Sequence, residues 1–149
     1  MPADEAAIIP ASPGDGEARA RLREAFARLR AAPGPVLLFV SHDRGGGVAR
    51  HVADLAALLA GRAAVLVLEP WRRSWLALRG TGEHEDLRLW LHRERDGEGL
   101  AACLRAAGVS RVHFHHVQGH APDILDLPRV AGCAYDVTIH DYFAFCPQD

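Results

Sequence analysis

Apolar residues fall along this chain in short runs that alternate with helical spacings, a rhythm that predicts strands and helices in turn. Between Glu17 and Ala32, Leu22, Phe26 and Leu29 recur at i, i+4 and i+7 among five arginines. This is the pattern of an amphipathic helix that Asp15 can cap and Pro33-Gly34-Pro35 stops. Val36-Leu37-Leu38-Phe39-Val40 is apolar without alternation, as expected of a strand covered on both faces in a parallel sheet. It leads through Ser41-His42-Asp43-Arg44 into Gly45-Gly46-Gly47, after which Val48, Val52, Leu55 and Leu59 take up helical spacing until Gly61. A second apolar strand, Ala63 to Leu68, closes a βαβ unit and is ended by Glu69-Pro70. Ser74 to Arg79 and Asp86 to Leu91 alternate and flank a Gly-rich connection, which predicts an antiparallel excursion at the sheet edge. The rhythm then resumes with a helix from Gly97 to Ala107, a strand from Arg111 to His116 and a helix within Pro122 to Ala131. A last strand, Tyr135 to Ile139, delivers His140-Asp141-Tyr142 at its carboxyl end.

The predicted fold is therefore α/β: a Rossmann-like, mostly parallel sheet with flanking helices and an antiparallel edge. Residues 1–16 are rich in Pro, Gly, Ala and acidic groups without periodicity and read as a flexible leader. Residues 17–35 form the amphipathic helix and a linker, and 36–149 the sheet domain. A chain of 149 residues with 49% hydrophobic content suits one domain with its own core. Its net charge of -2 mixes many arginines with many carboxylates, so no nucleic-acid partner is expected. Cys103, Cys133 and Cys146 are odd in number and form no CxxC pair, which argues against a disulfide framework or a structural zinc site and makes a reducing compartment the default. The N-terminus has no apolar signal core, and no apolar run approaches the about 18 residues of a membrane helix. A cytoplasmic protein without a transmembrane segment is expected.

In open α/β sheets ligands bind at the carboxyl ends of the parallel strands. That edge collects Ser41 to Gly47, His115 to His120 and His140 to Tyr142, three polar loops facing one cleft. Gly45, Gly46 and Gly47 remove every Cβ where strand passes to helix, so a phosphate or a sugar hydroxyl can approach the helix N-terminus. The turn is neither a GxGxxG fingerprint nor a P-loop, since Arg50 stands three after Gly47 and no Gly-Lys-Ser follows. His113, His115, His116 and His120 form the densest histidine cluster, with alternation placing His113 and His115 on one side and His116 on the other. No Asp or Glu stands at ligand spacing beside them, so no metal site is assigned. His140 and Asp141 are the catalytic candidates, because a strand-end imidazole can donate or accept hydrogen bonds with a substrate, although neighbours in a strand point to opposite sides and Asp141 need not touch His140. No Gly-x-Ser-x-Gly elbow is present, and Cys146 lacks a base in sequence.

Three segments in this order, VLLFVSHDRGGGVARHVADLAALLA, VHFHHVQGHAPDI and YDVTIHDYFAFCPQ, resemble landmarks of the group 1 (family 4) glycosyltransferases over residues 36 to 149. The most distinctive is the strand ending in His-Asp-Tyr-Phe and running into Cys-Pro. The resemblance implies one half of a GT-B fold, the N-terminal acceptor-side domain, and a cell-surface polysaccharide or lipopolysaccharide biosynthetic role. It implies transfer of a sugar from a nucleoside-diphosphate sugar to a glycan or lipid-linked acceptor, with retention and without an essential bound metal or other cofactor. Gly46 and Gly47 would lie beside the donor phosphates or the acceptor, His140 would reach the transferred sugar, and His115 and His116 would line the acceptor side, with Gly45 and Tyr142 among the substrate-binding set. The nucleotide-sugar would be held mainly by a C-terminal domain whose basic pair and paired glutamates do not occur here. The chain is thus expected to be an incomplete piece of a larger enzyme, inactive alone, with room for peripheral membrane contact in the full protein. Two other readings stay open: a non-catalytic α/β binding or interaction module, and a metal-dependent hydrolase built on His113, His115, His120 and His140.

Overall fold

The computed structural model describes residues 16–94 and 97–141. The leader up to the capping Asp15, the site residue Tyr142 and Cys146 lie outside the described residues. The continuously apolar runs become the middle of a six-stranded sheet. Strand β1 (Val36–Val40) pairs in parallel with β2 (Ala64–Trp71) on one side and with β5 (Val109–Phe114) on the other. Strands β3 (Trp75–Gly80) and β4 (Arg88–His92) extend the β2 side in antiparallel fashion, and β6 (Ala134–Val137) adds in parallel to β5. The order β4-β3-β2-β1-β5-β6 is a mixed α/β sheet of Rossmann-like topology with an antiparallel edge.

Period-2 alternation divides β1 and β2 between two cores. On one face Leu38, Leu66, Leu68, Leu78, Leu89 and Val112 meet residues of three helices, α1 (Gly16–Ala31), α3 (Gly97–Ala107) and α4 (Leu127–Ala131). On the other, Phe39, Val65 and Val67 lie beneath α2 (Gly46–Leu59), which contributes Val52 and Ala56. The helix α1 inserts Ala25, Phe26 and Leu29 into the first core, with Leu29 fully buried. It is followed by Gly34 at φ +77°, where a Cβ would lie 1.9 Å from the carbonyl oxygen of Arg62. Only glycine fits that approach.

Several boundaries depart from the periodicity; β5 begins at Val109, two residues before the expected start, and β6 ends at Val137, two short of Ile139. The strand β2 continues through Glu69 and Pro70 to Trp71, because its pairing with β1 ends at Leu68 and the proline faces no ladder on that side. The strand β5 ends at Phe114, two residues short of the predicted end, since the amides of both His115 and His116 turn to the Val40 carbonyl, at 2.9 and 3.2 Å. The helix predicted within Pro122 to Ala131 is split into a 3-10 turn, Pro122–Asp126, and the short α4, whose second residue is Pro128. The edge strand β6 leaves Tyr135 and Val137 exposed, with Ile139 just beyond it.

Candidate functional site

The chain leaves β1 toward β2 and later returns on the other side of β1 as β5, so the switch point of the sheet lies between the carboxyl ends of β1 and β5. Histidines gather at this point. The double use of the Val40 carbonyl bends the chain after Phe114 and sends His115 to the α2 face and His116 to the opposite one. The two rings face opposite sides as predicted, but through this bend and not through strand alternation, since β5 has already ended.

On the α2 face, His115 lies edge-on to Phe39 at 4.7 Å and against His113 at 4.4 Å between ring centres. His51, from the first turns of α2, approaches His115 at 5.4 Å and His140 at 4.9 Å. His115 Nδ1 and His140 Nε2 are 3.4 Å apart. One ring nitrogen from each of His51, His115 and His140 lies within 4.8 Å of the others. Behind them His113 has both nitrogens engaged, Nδ1 by the Asp136 carboxylate and Nε2 by the Thr138 hydroxyl at 2.8 Å. Burial, with the neighbouring imidazoles adding to it, pushes the His115 pKa down to about 3. His140 is lowered in the same sense, first by burial and then by His51. Both rings are therefore neutral at pH 7 and keep a lone pair.

On the opposite face, His42 and His116 stack edge-on at 4.7 Å. Hydrogen bonding settles the tautomer of His116: Nδ1 accepts the Gln118 amide at 3.1 Å, so Nε2 carries the proton and donates to the Asp141 carboxylate at 3.1 Å. Asp141 accordingly orients His116, while His140 turns to His115 and His51. His120 Nε2 donates to the Ser41 carbonyl at 2.7 Å, and burial holds its pKa below the ordinary value. A cleft of about 540 Å³ opens beside His120, lined also by Arg93, Leu100 and Ile124.

The glycine turn opens α2, with Gly45 at the N-cap and Gly46 and Gly47 in the first turn. Gly45 and Gly46 adopt φ +70° and +74°, which side chains rarely accept, whereas Gly47 has no such strain and a Cβ on it would meet nothing within 4 Å. The first turn of α2 carries no acidic residue, and Gly45 gives it no side-chain cap. The three glycines are exposed at the same sheet edge as the imidazoles.

His51 escaped the sequence reading. Its signal was its phase, since it falls between Val48 and Val52 on the face of α2 that the apolar residues turn toward the sheet. A polar residue at that phase, near the helix start, reaches the strand ends instead of the core.

Fold and site together define a Rossmann-like α/β domain with a cluster of imidazoles at its switch point. No family model, curated protein or solved structure matches the chain. Among the described residues no helix is long and apolar enough to cross a membrane.

Proposed function

We propose that this chain is the acceptor-side, Rossmann-like domain of a GT-B glycosyltransferase that moves a sugar from a nucleoside-diphosphate sugar to a glycan or lipid-linked acceptor. The observation that supports this most is the convergence at the switch point of the first turns of α2, the segment after β5 and the segment after β6. Each segment carries the residues on which the resemblance rests. The neutral His140 ring can accept a hydrogen bond from a sugar hydroxyl or donate one to it, and His115 packs beside it. The strain-free, open Gly47 lets a hydroxyl or phosphate approach the backbone of α2. His116, held by Gln118 and Asp141, is a fixed wall on the acceptor side. The domain's share of the chemistry is orientation, with the leaving diphosphate stabilised from a second domain.

Transfer assays with a panel of nucleotide-sugars and acceptor glycans test this, using the full gene product. His140→Ala is expected to lower turnover by about 100-fold or more while the melting temperature stays within about 2 °C. Equal losses of turnover and stability would make His140 structural. Calorimetry on the chain itself is expected to show glycan binding and little nucleotide binding. Tight nucleotide binding would contradict the division of labour between two domains, and glycan binding with no turnover from any donor would favour the binding-module reading.

A further inference from the structure

We propose that His51, His115 and His140 bind one divalent transition-metal ion of the zinc class, leaving a coordination position for solvent or a ligand. Three observations converge on these side chains. First, one ring nitrogen from each lies within 4.8 Å of the others, a spread that small rotations of exposed His51 and half-buried His140 can close. Second, the 3.4 Å between His115 Nδ1 and His140 Nε2 is long for a hydrogen bond, which prefers about 2.9 to 3.0 Å. It equals the edge of a tetrahedron whose metal–nitrogen bonds are about 2.0 to 2.1 Å, where donors stand about 3.3 to 3.4 Å apart. Third, His115 is 2% exposed, and Phe39 and His113 pack against its ring while Nδ1 faces His140.

Neighbouring histidines are excluded by their bonds. Asp136 and Thr138 occupy both nitrogens of His113, and Gln118 and Asp141 occupy those of His116. His113 instead packs against His115 and fixes its ring, the supporting role that groups behind metal ligands usually play. Three imidazoles without a thiolate or carboxylate favour zinc, nickel, copper or cobalt over magnesium or calcium. Three protein donors also leave tetrahedral coordination incomplete, which is the arrangement of sites that hold an exchangeable ligand. The site shares His115 and His140 with the glycosyl-transfer reading, in which the resemblance implies no essential metal, and it is tested by metal binding, not by transfer.

The test is titration of the chelator-stripped chain with zinc against a chromogenic competitor, with magnesium in a parallel arm. One equivalent of zinc should bind with micromolar or tighter affinity, and magnesium should not compete. His51→Ala, which removes an exposed ring and should leave the circular dichroism and the zinc-free melting temperature unchanged, should weaken binding at least tenfold, as should His140→Ala. His120→Ala, on the other face, should retain wild-type affinity. X-ray absorption of the zinc-loaded chain should show three imidazole nitrogens in the first shell. Absence of stoichiometric binding, or wild-type affinity in either His51→Ala or His140→Ala, would overturn the proposal. Zinc titration reads the metal site and the transfer assay reads sugar transfer, so a failure of either is seen separately although the two share His140.

Discussion

Gly34 and Gly61 share a left-handed backbone, φ +77° and +76°, yet differ in surroundings. A Cβ at Gly34 would meet the Arg62 carbonyl oxygen at 1.9 Å, while one at Gly61 would meet nothing within 4 Å. Gly61→Ala should therefore cost only the backbone strain, about 1 kcal/mol, and Gly34→Ala distinctly more, because a main-chain carbonyl has to move. Urea denaturation of the two variants measures the difference, and equal losses would refute the steric account. The same contrast governs the histidines. Opposite facing of His115 and His116, and of His140 and Asp141, agrees with the alternation expected from the sequence, although both pairs lie just past the ends of their strands. That Asp141 meets His116, and that His51 meets His140, depends on contacts between segments far apart in the chain, which no local pattern carries.

At the level of elements, the apolar phase of α1 identified its buried side: Phe26 and Leu29 enter the core shared with the strands, while Leu22 is only partly buried. Leu29→Ala should lower the unfolding free energy by about 2 to 5 kcal/mol, the cost of a cavity in a packed core. A change below about 1 kcal/mol in urea unfolding would mean that α1 is not held by this core. The antiparallel edge formed by β3 and β4 was readable from alternation flanking a glycine-rich connection. The ends of β2 and β5 were not, since β2 passes through Pro70 only because β1 stops beside Leu68, and β5 stops at Phe114 only because Val40 offers its carbonyl to two amides. A strand end is a property of its neighbour as much as of its own residues.

For the whole molecule, burial of neutral imidazoles makes stability depend on pH. The unfolded chain takes up protons on His115 and His120 near the ordinary value of 6.5, whereas burial holds both folded values lower, His115 at about 3. Protons then bind preferentially to the unfolded state below pH 6.5, so this stability is complete above that pH and is lost as pH falls toward the folded values. The loss should reach a few kcal/mol, on the order of about 1.4 kcal/mol per pKa unit. Melting of chelator-treated protein should drop steeply between about pH 6.5 and 4, and a flat profile there would contradict buried neutral histidines. By itself the sequence determined the succession of strands and helices and the antiparallel edge, because these follow from backbone periods of 2 and 3.6 residues. Only the tertiary structure decided which side chains meet. The switch point draws the start of α2 and the ends of β5 and β6 to one edge of the sheet, and packing there leaves His51, His115 and His140 with nitrogens facing one another.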